Sequence, residues 1–210
     1  MDGLLIDSEP VWRRSLVKVY NGMGIPLTID MCKQTMGMRI DEVVEYWAGR
    51  YALPVTKEKM VSDILQEVIS LIRAEGKAMP GVEEIISLFA SQKIPMAIAS
   101  SSTMAVIDAV LERVSIKDKM KVIHSAEHEP YGKPHPGVFI TTAEKLGVPT
   151  GECLVFEDSA NGVLAAKAAK MKCVAVPDST VFNDKRFGIA DLTLASLKEF
   201  TLEHFRSLEN

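Results

Sequence analysis

The sequence predicts an α/β fold: a parallel sheet wound on both faces by helices, with a helical insert near its beginning. Two observations carry this. Short apolar runs at 95–100 (PMAIAS), 121–125 (KVIHS), 153–158 (CLVFED) and 173–177 (CVAVP) alternate with stretches of helical periodicity. Such continuous runs mark strands covered on both faces, and their alternation with helices marks a parallel sheet. Residues 9 to about 78 contain no strand-like run, and their apolar positions recur at helical spacing.

In the insert the helical faces are Leu16, Val19, Tyr20 and Met23, then Val43, Val44 and Trp47, then Val61, Ile64, Leu65, Val68 and Ile72. Pro80-Gly81 turns the chain into a core helix carrying Val82, Ile85, Ile86 and Phe89. Met104, Ile107, Val110 and Leu111 mark the helix after the first run; Val138, Phe139 and Leu146 mark another, stopped at Gly147. The two halves of a doubly wound domain meet near residue 150. The expected division is a catalytic core of residues 1–7 plus 80–210 and a helical insert of residues 8–79.

A chain of 210 residues suits one large domain carrying a smaller one. Its net charge of -4 offers no basic footprint for nucleic acid. No apolar run approaches the roughly 20 residues that cross a bilayer, and the N-terminus lacks the succession of a secretory signal. The expectation is a cytoplasmic monomer with no nucleic-acid or membrane partner. Cys32, Cys153 and Cys173 are odd in number and widely spaced, which fits buried free thiols in a reducing compartment. His124 and His128 have the spacing of a helical metal pair, but their segment ends in Pro130-Tyr131-Gly132 and reads as a loop.

In an open α/β sheet, ligands sit beyond the carboxyl ends of the strands. Four polar points fall there: Asp2-Gly3, Ser100-Ser101-Ser102-Thr103, Lys133 within YGKPHP, and Glu157-Asp158-Ser159. Three carboxylates with one ammonium attract a phosphate dianion only when a divalent cation neutralises the acids, and Mg²⁺ suits carboxylate, carbonyl and phosphate oxygens. In that reading Ser100 donates to the phosphate, Lys133 balances its charge, Glu157 and Asp158 hold the ion, and Asp2 is the acid/base.

The ordered set Asp2-Gly3, Ser100, Lys133 and Glu157-Asp158, with the words MDGLLIDSEP, YGKPHP and EDSANGVLAAKAAKM, resembles the four motifs of the haloacid dehalogenase superfamily over essentially the whole chain. The resemblance implies a Rossmann-like core and a small helical cap, inserted after the first motif, that closes over the site. It implies phosphate contacts from Ser100, Ser101 and Lys133, and Mg²⁺ held by Asp2, whose backbone carbonyl would also ligate it, with Glu157 and Asp158. Family members begin with Asp-x-Asp. The second Asp matches Asp2; the first, the nucleophile that becomes an aspartyl phosphate, would fall immediately before Met1, at the end of an apolar strand of about five to ten residues.

The acid/base Asp and the acidic pair favour phosphoryl chemistry over dehalogenation. Mutases of the β-phosphoglucomutase branch carry a His ten residues after the acid/base Asp, where this chain has Trp12. DSEPVW and MGMRIDEVVEYW resemble instead the hexose- and hexitol-phosphate phosphatases, including those acting on 2-deoxyglucose 6-phosphate. The expected function is thus Mg²⁺-dependent hydrolysis of a hexose or hexitol phosphate. A β-phosphoglucomutase-like mutase and a catalytically silent phosphate-binding protein are the alternatives. Arg39 is the candidate substrate contact from the cap, set against a simple helix-start pairing with Asp41 or Glu42. Trp12 and Trp47 are read as cap core.

Overall fold

The computed structural model describes residues 1–208. The insert folds as α1 (Glu9–Gly22), α2 (Ile29–Cys32), α3 (Ile40–Ala48) and α4 (Lys57–Glu75). Pro10 stands in the first turn of α1, where a missing N–H leaves no hydrogen bond unmade. The Thr56 hydroxyl accepts the Lys59 amide at 3.3 Å and starts α4. The apolar faces read from the sequence close on one another, burying Tyr20, Val44, Trp47, Met60, Ile64, Val68 and Ile72.

The main domain follows as α5 (Val82–Ser91), β1 (Met96–Ser100), α6 (Met104–Val114), β2 (Met120–Ser125), α7 (Gly137–Leu146), β3 (Leu154–Glu157), α8 (Ala160–Ala168), β4 (Lys172–Ala175), β5 (Leu192–Thr193) and α9 (Leu202–Leu208). β1 to β4 fall on the four apolar runs; β5, two residues long, is too short to leave a periodic signal. All strand pairings are parallel. Ser100 stands opposite Ser125, and Glu157 opposite Ala175, so polar residues line up where the strands end.

β1–β2 and β3–β4–β5 form separate hydrogen-bonded sets among the described residues. Between β1 and β3 runs an apolar channel of about 460 Å³, with Met1 at one end and Phe89, Ile98, Phe139, Val155 and Phe156 along its walls. On the other side of β3 the small residues of α8 bring it close to the sheet, with Ala165 and Ala166 fully buried. A Cβ at Gly162 would overlap the Glu157 carboxylate, so this close approach requires glycine.

Two sequence expectations change in detail. His124 lies on β2 and His128 in a single 3₁₀ turn, so the segment is not a loop throughout. Both ring nitrogens of His124 are engaged, with Glu129 at 2.7 Å and Lys145 at 2.9 Å. Cys153 is half-buried, whereas Cys32 and Cys173 are buried; all three are free. No described helix is long and apolar enough to cross a membrane.

Val106, Ala109 and Val110 of α6 belong to the same buried cluster as the insert helices, through the packing of α4 on α6. The insert therefore shares a core with the main domain. Replacing Ile64, fully buried in that cluster, by Ala should cost about 2–5 kcal/mol. Because the cluster spans both parts, denaturant unfolding followed by tryptophan fluorescence and by circular dichroism should stay a single coincident transition.

Candidate active site

One pocket at the carboxyl ends of β1 and β3 gathers Asp2, Ser100, Ser101, Lys133, Glu157 and Asp158. Trp12, Arg13, Leu16, Met36 and Met38 from the insert form its other wall. All the sequence-predicted site residues except Arg39 line this pocket.

Asp2 is held by three donors. Its Oδ1 accepts Ser8 Oγ at 2.6 Å and Trp12 Nε1 at 2.9 Å, and its Oδ2 accepts Ser102 Oγ at 2.7 Å. Trp12 is therefore not simply cap core: its indole N–H fixes the carboxylate read as acid/base. Trp47 is buried in the helical cluster as expected. Ser8 and Trp12 were invisible as Asp2 partners in the sequence, because nothing in an apolar helical periodicity says which ring edge turns to a strand end.

Ser100 ends β1 and is buried, and its Oγ accepts the Ser102 amide at 3.1 Å, which leaves its hydroxyl proton available. The buried Ser101 Oγ has no partner in the structure. The run continues into the start of α6, whose helix dipole favours an anion. An orphaned hydroxyl beside a helix start is what a phosphate oxygen would satisfy.

Lys133 is buried, forms an ion pair with Glu157 and lies 4.6 Å from the centre of the Phe139 ring. The following Lys133-Pro134 bond is cis. Glu157 also accepts the Ser159 hydroxyl at 3.1 Å. Burial alone would raise the Glu157 carboxyl, but Lys133 pulls it below the usual range. Asp158 has less relief: Lys133 offsets its charge only in part, and it accepts no hydrogen bond from a described residue. Burial, then the Glu157 charge, pushes its carboxyl up to about 7. Gly3, at φ 62°, abuts it so closely that a Cβ there would overlap the carboxylate.

The insert touches the main domain around this pocket. Arg39 Nη1 donates to the carbonyls of Ala126 (3.1 Å) and Glu129 (2.9 Å), and its Nη2 to Asp41 at 2.6 Å. Glu42 accepts the amide of Gly132, next to Lys133, at 3.3 Å. Arg39 thus bridges the two parts instead of facing the pocket. Cys32 lines the pocket, but burial first and Glu9 second push its thiol up to about 11, which makes it a poor nucleophile.

The donor set fits a hard divalent cation: a half-buried carboxylate without a partner among the described residues, Asp158, stands near the paired Glu157 and Asp2. No group of three or more His, Cys, Asp or Glu among the described residues closes on a metal alone. The further oxygens would come from the Asp2 carbonyl, phosphate and water, as Mg²⁺ prefers.

A doubly wound parallel sheet with a helical insert after the first acidic motif, and hydroxyls, ammonium and carboxylates meeting at its strand ends, defines a hydrolase class that handles phosphate esters. The family model for "Haloacid dehalogenase-like hydrolase" matches residues 1–176. Hexitol phosphatase B of Escherichia coli (strain K12) is 38% identical over 203 residues, covering 96% of this chain and 91% of the relative. A probable pseudouridine-5'-phosphatase of Drosophila melanogaster is 32% identical over 211 residues, covering 98% and 90%. The crystal structure of β-phosphoglucomutase from Clostridium difficile superposes with a TM-score of 0.85 at 24% identity, covering 99% of this chain and 93% of that one, a likeness of fold. The chain belongs to the haloacid dehalogenase-like hydrolase family, and it is a phosphoric monoester hydrolase.

The raised Asp158 carboxyl has a stability consequence. Between pH values of about 4 and about 7 the unfolded chain releases this proton while the folded chain keeps it, so the cost to folding grows over that window and stays constant above it. Asp158→Asn should therefore stabilise the metal-free protein by about 1–3 kcal/mol at pH 8, with the gain vanishing near pH 4. Urea unfolding in chelator at both pH values checks this, alongside a loss of turnover by orders of magnitude.

Proposed function

We propose that the enzyme is a Mg²⁺-dependent phosphatase of hexose or hexitol phosphates that works through an aspartyl phosphate. The observation that carries the proposal is the pairing, across one pocket, of the unpartnered Ser101 hydroxyl and the Lys133 ammonium with the unpaired Asp158 carboxylate. The first two suit a phosphate, and the third suits the cation that accompanies it. The curated relatives named as phosphatases support the same reading, and the one named for hexitols supports the substrate class.

Asp158 and the Asp2 carbonyl, with Glu157, would hold Mg²⁺, which when bound neutralises charge on the phosphate oxygens. Ser100 and Ser101 would orient the phosphoryl group, and Lys133 would offset charge at its oxygens. The nucleophile in this reading is the first Asp of the family's Asp-x-Asp motif, whose second Asp matches Asp2. Its carboxylate oxygen bonds to phosphorus as the ester P–O bond breaks, and Asp2 gives its proton to the leaving oxygen. Asp2 then takes a proton from water, the water oxygen bonds to phosphorus, and the acyl phosphate bond breaks to release phosphate and restore both carboxyl groups. The Trp12 hydrogen bond would hold Asp2 in place for both transfers.

Purified enzyme should release inorganic phosphate from hexitol and hexose 6-phosphates with Mg²⁺ and lose that activity in excess chelator. Conversion of β-glucose 1-phosphate to glucose 6-phosphate outpacing phosphate release would favour a mutase.

The nucleophile assignment is tested separately. A chain extended by an apolar strand ending in Asp should turn over at least about 10³-fold faster than the same chain ending in Asn. Equal rates would remove the covalent step.

A further inference from the structure

Glu9 and Arg13 occupy successive turns of α1 on the pocket side, and neither belongs to the phosphate end of the site. Arg13 Nε donates to Glu9 Oε1 at 2.9 Å. An i,i+4 ion pair on a helix is usually a solvated surface feature worth a few tenths of a kcal/mol. This one is placed differently. The Arg13 side chain is 18% exposed and Glu9 25%, against 59% for the cation of the i,i+4 pair Lys59–Asp63. Both residues line the pocket beside Trp12, Leu16, Met36 and Met38.

The pairing engages one nitrogen and one oxygen only. Neither terminal nitrogen of Arg13 donates to a described residue, and Glu9 Oε2 accepts from none. A fixed set of N–H donors thus lies beside a free carboxylate oxygen, with apolar side chains around them. Vicinal hydroxyls, which donate and accept at short spacing, match such a pair, while carbon-bound hydrogens of the same molecule match the apolar wall.

The charge around the pair favours a neutral group over a second anion. Asp178, on the segment after β4, is held low first by the Thr180 hydroxyl and amide and then by Arg13. Burial first, and the charges of Asp2 and Asp178 after it, raise the Glu9 carboxyl against the opposing pull of Arg13. Arg13 is already paired with Glu9, and the Asp2 and Asp178 carboxylates lie within electrostatic reach of the pair, which disfavours a second phosphate there.

We propose that the Glu9–Arg13 pair is the specificity-determining subsite for the leaving group, recognising neutral vicinal hydroxyls of a polyol or sugar. This rests on the phosphatase reading above and adds the residues that choose the substrate.

The test compares kcat/KM for a hexitol 6-phosphate, a hexitol bisphosphate and n-hexyl phosphate, which has the same carbon chain without hydroxyls. The wild-type enzyme should prefer the hexitol monophosphate. In Arg13→Met and Glu9→Gln the ratio of hexitol phosphate to hexyl phosphate should fall about 10- to 100-fold, mainly through KM, and Arg13→Lys should recover part of it. A merely structural role would lower both esters together and leave the ratio unmoved, which would overturn the proposal. A wild-type preference for the bisphosphate that Arg13→Met abolishes would also overturn it, by showing an anion subsite. Hydrolysis of none of the three esters with Mg²⁺ would refute the phosphatase reading itself, whereas hydrolysis without selectivity would refute only the subsite.

Discussion

Glu157 and Asp158 end β3 inside the protein as adjacent carboxylates, with a single ammonium, Lys133, buried against them. The arrangement is asymmetric: Lys133 and Ser159 bond Glu157, whereas for Asp158 burial and the like charge outweigh the more distant pull of Lys133. Two carboxylates so close cannot both be ionised cheaply in a low-dielectric pocket without further positive charge. The surrounding structure is built to hold this imbalance. Gly3 gives Asp158 its room, Gly162 lets α8 begin directly beneath Glu157, and the Ser159 hydroxyl both caps α8 and donates to Glu157.

The same economy of groups links the insert to the chemistry. α1 presents Trp12 to Asp2 and also turns the Glu9–Arg13 pair to the same pocket, so one helix carries several of its walls. α3 contributes Arg39 and Glu42, which bind the main domain at Ala126, Glu129 and Gly132, the last adjacent to Lys133. With α4 packed on α6, the insert is tied to the main domain through apolar contacts at one place and polar contacts at another.

Much of the fold was legible in the chain. Val155 and Val174 sit in continuous apolar runs because β3 and β4 are covered on both faces. Ile64, Val68 and Ile72 recur every three or four residues because α4 buries one stripe. β5 was not legible, since two residues carry no period. The site motifs were legible as strand ends, but the partner choices were not. Arg39 read equally well as a substrate contact or a helix-start pair; it does pair with Asp41, and its other partners are carbonyls some 90 residues away. Trp12 was legible as the residue standing where mutases carry His and as cap core, but not as a donor to Asp2.

By itself the sequence determined the fold class, the helical insert and the set of residues at the strand ends. These follow from local periodicity and from where polar groups interrupt apolar runs, and both are properties of neighbouring residues. Only the tertiary structure decided that Lys133 belongs to Glu157 and not to Asp158, that Trp12 and Ser8 hold Asp2, that Glu9 and Arg13 face the pocket, and that an apolar channel separates β1 from β3. Those pairings join residues far apart in the chain, and a hydrogen bond or ion pair is settled by distances of a few tenths of an ångström that no spacing along the sequence encodes.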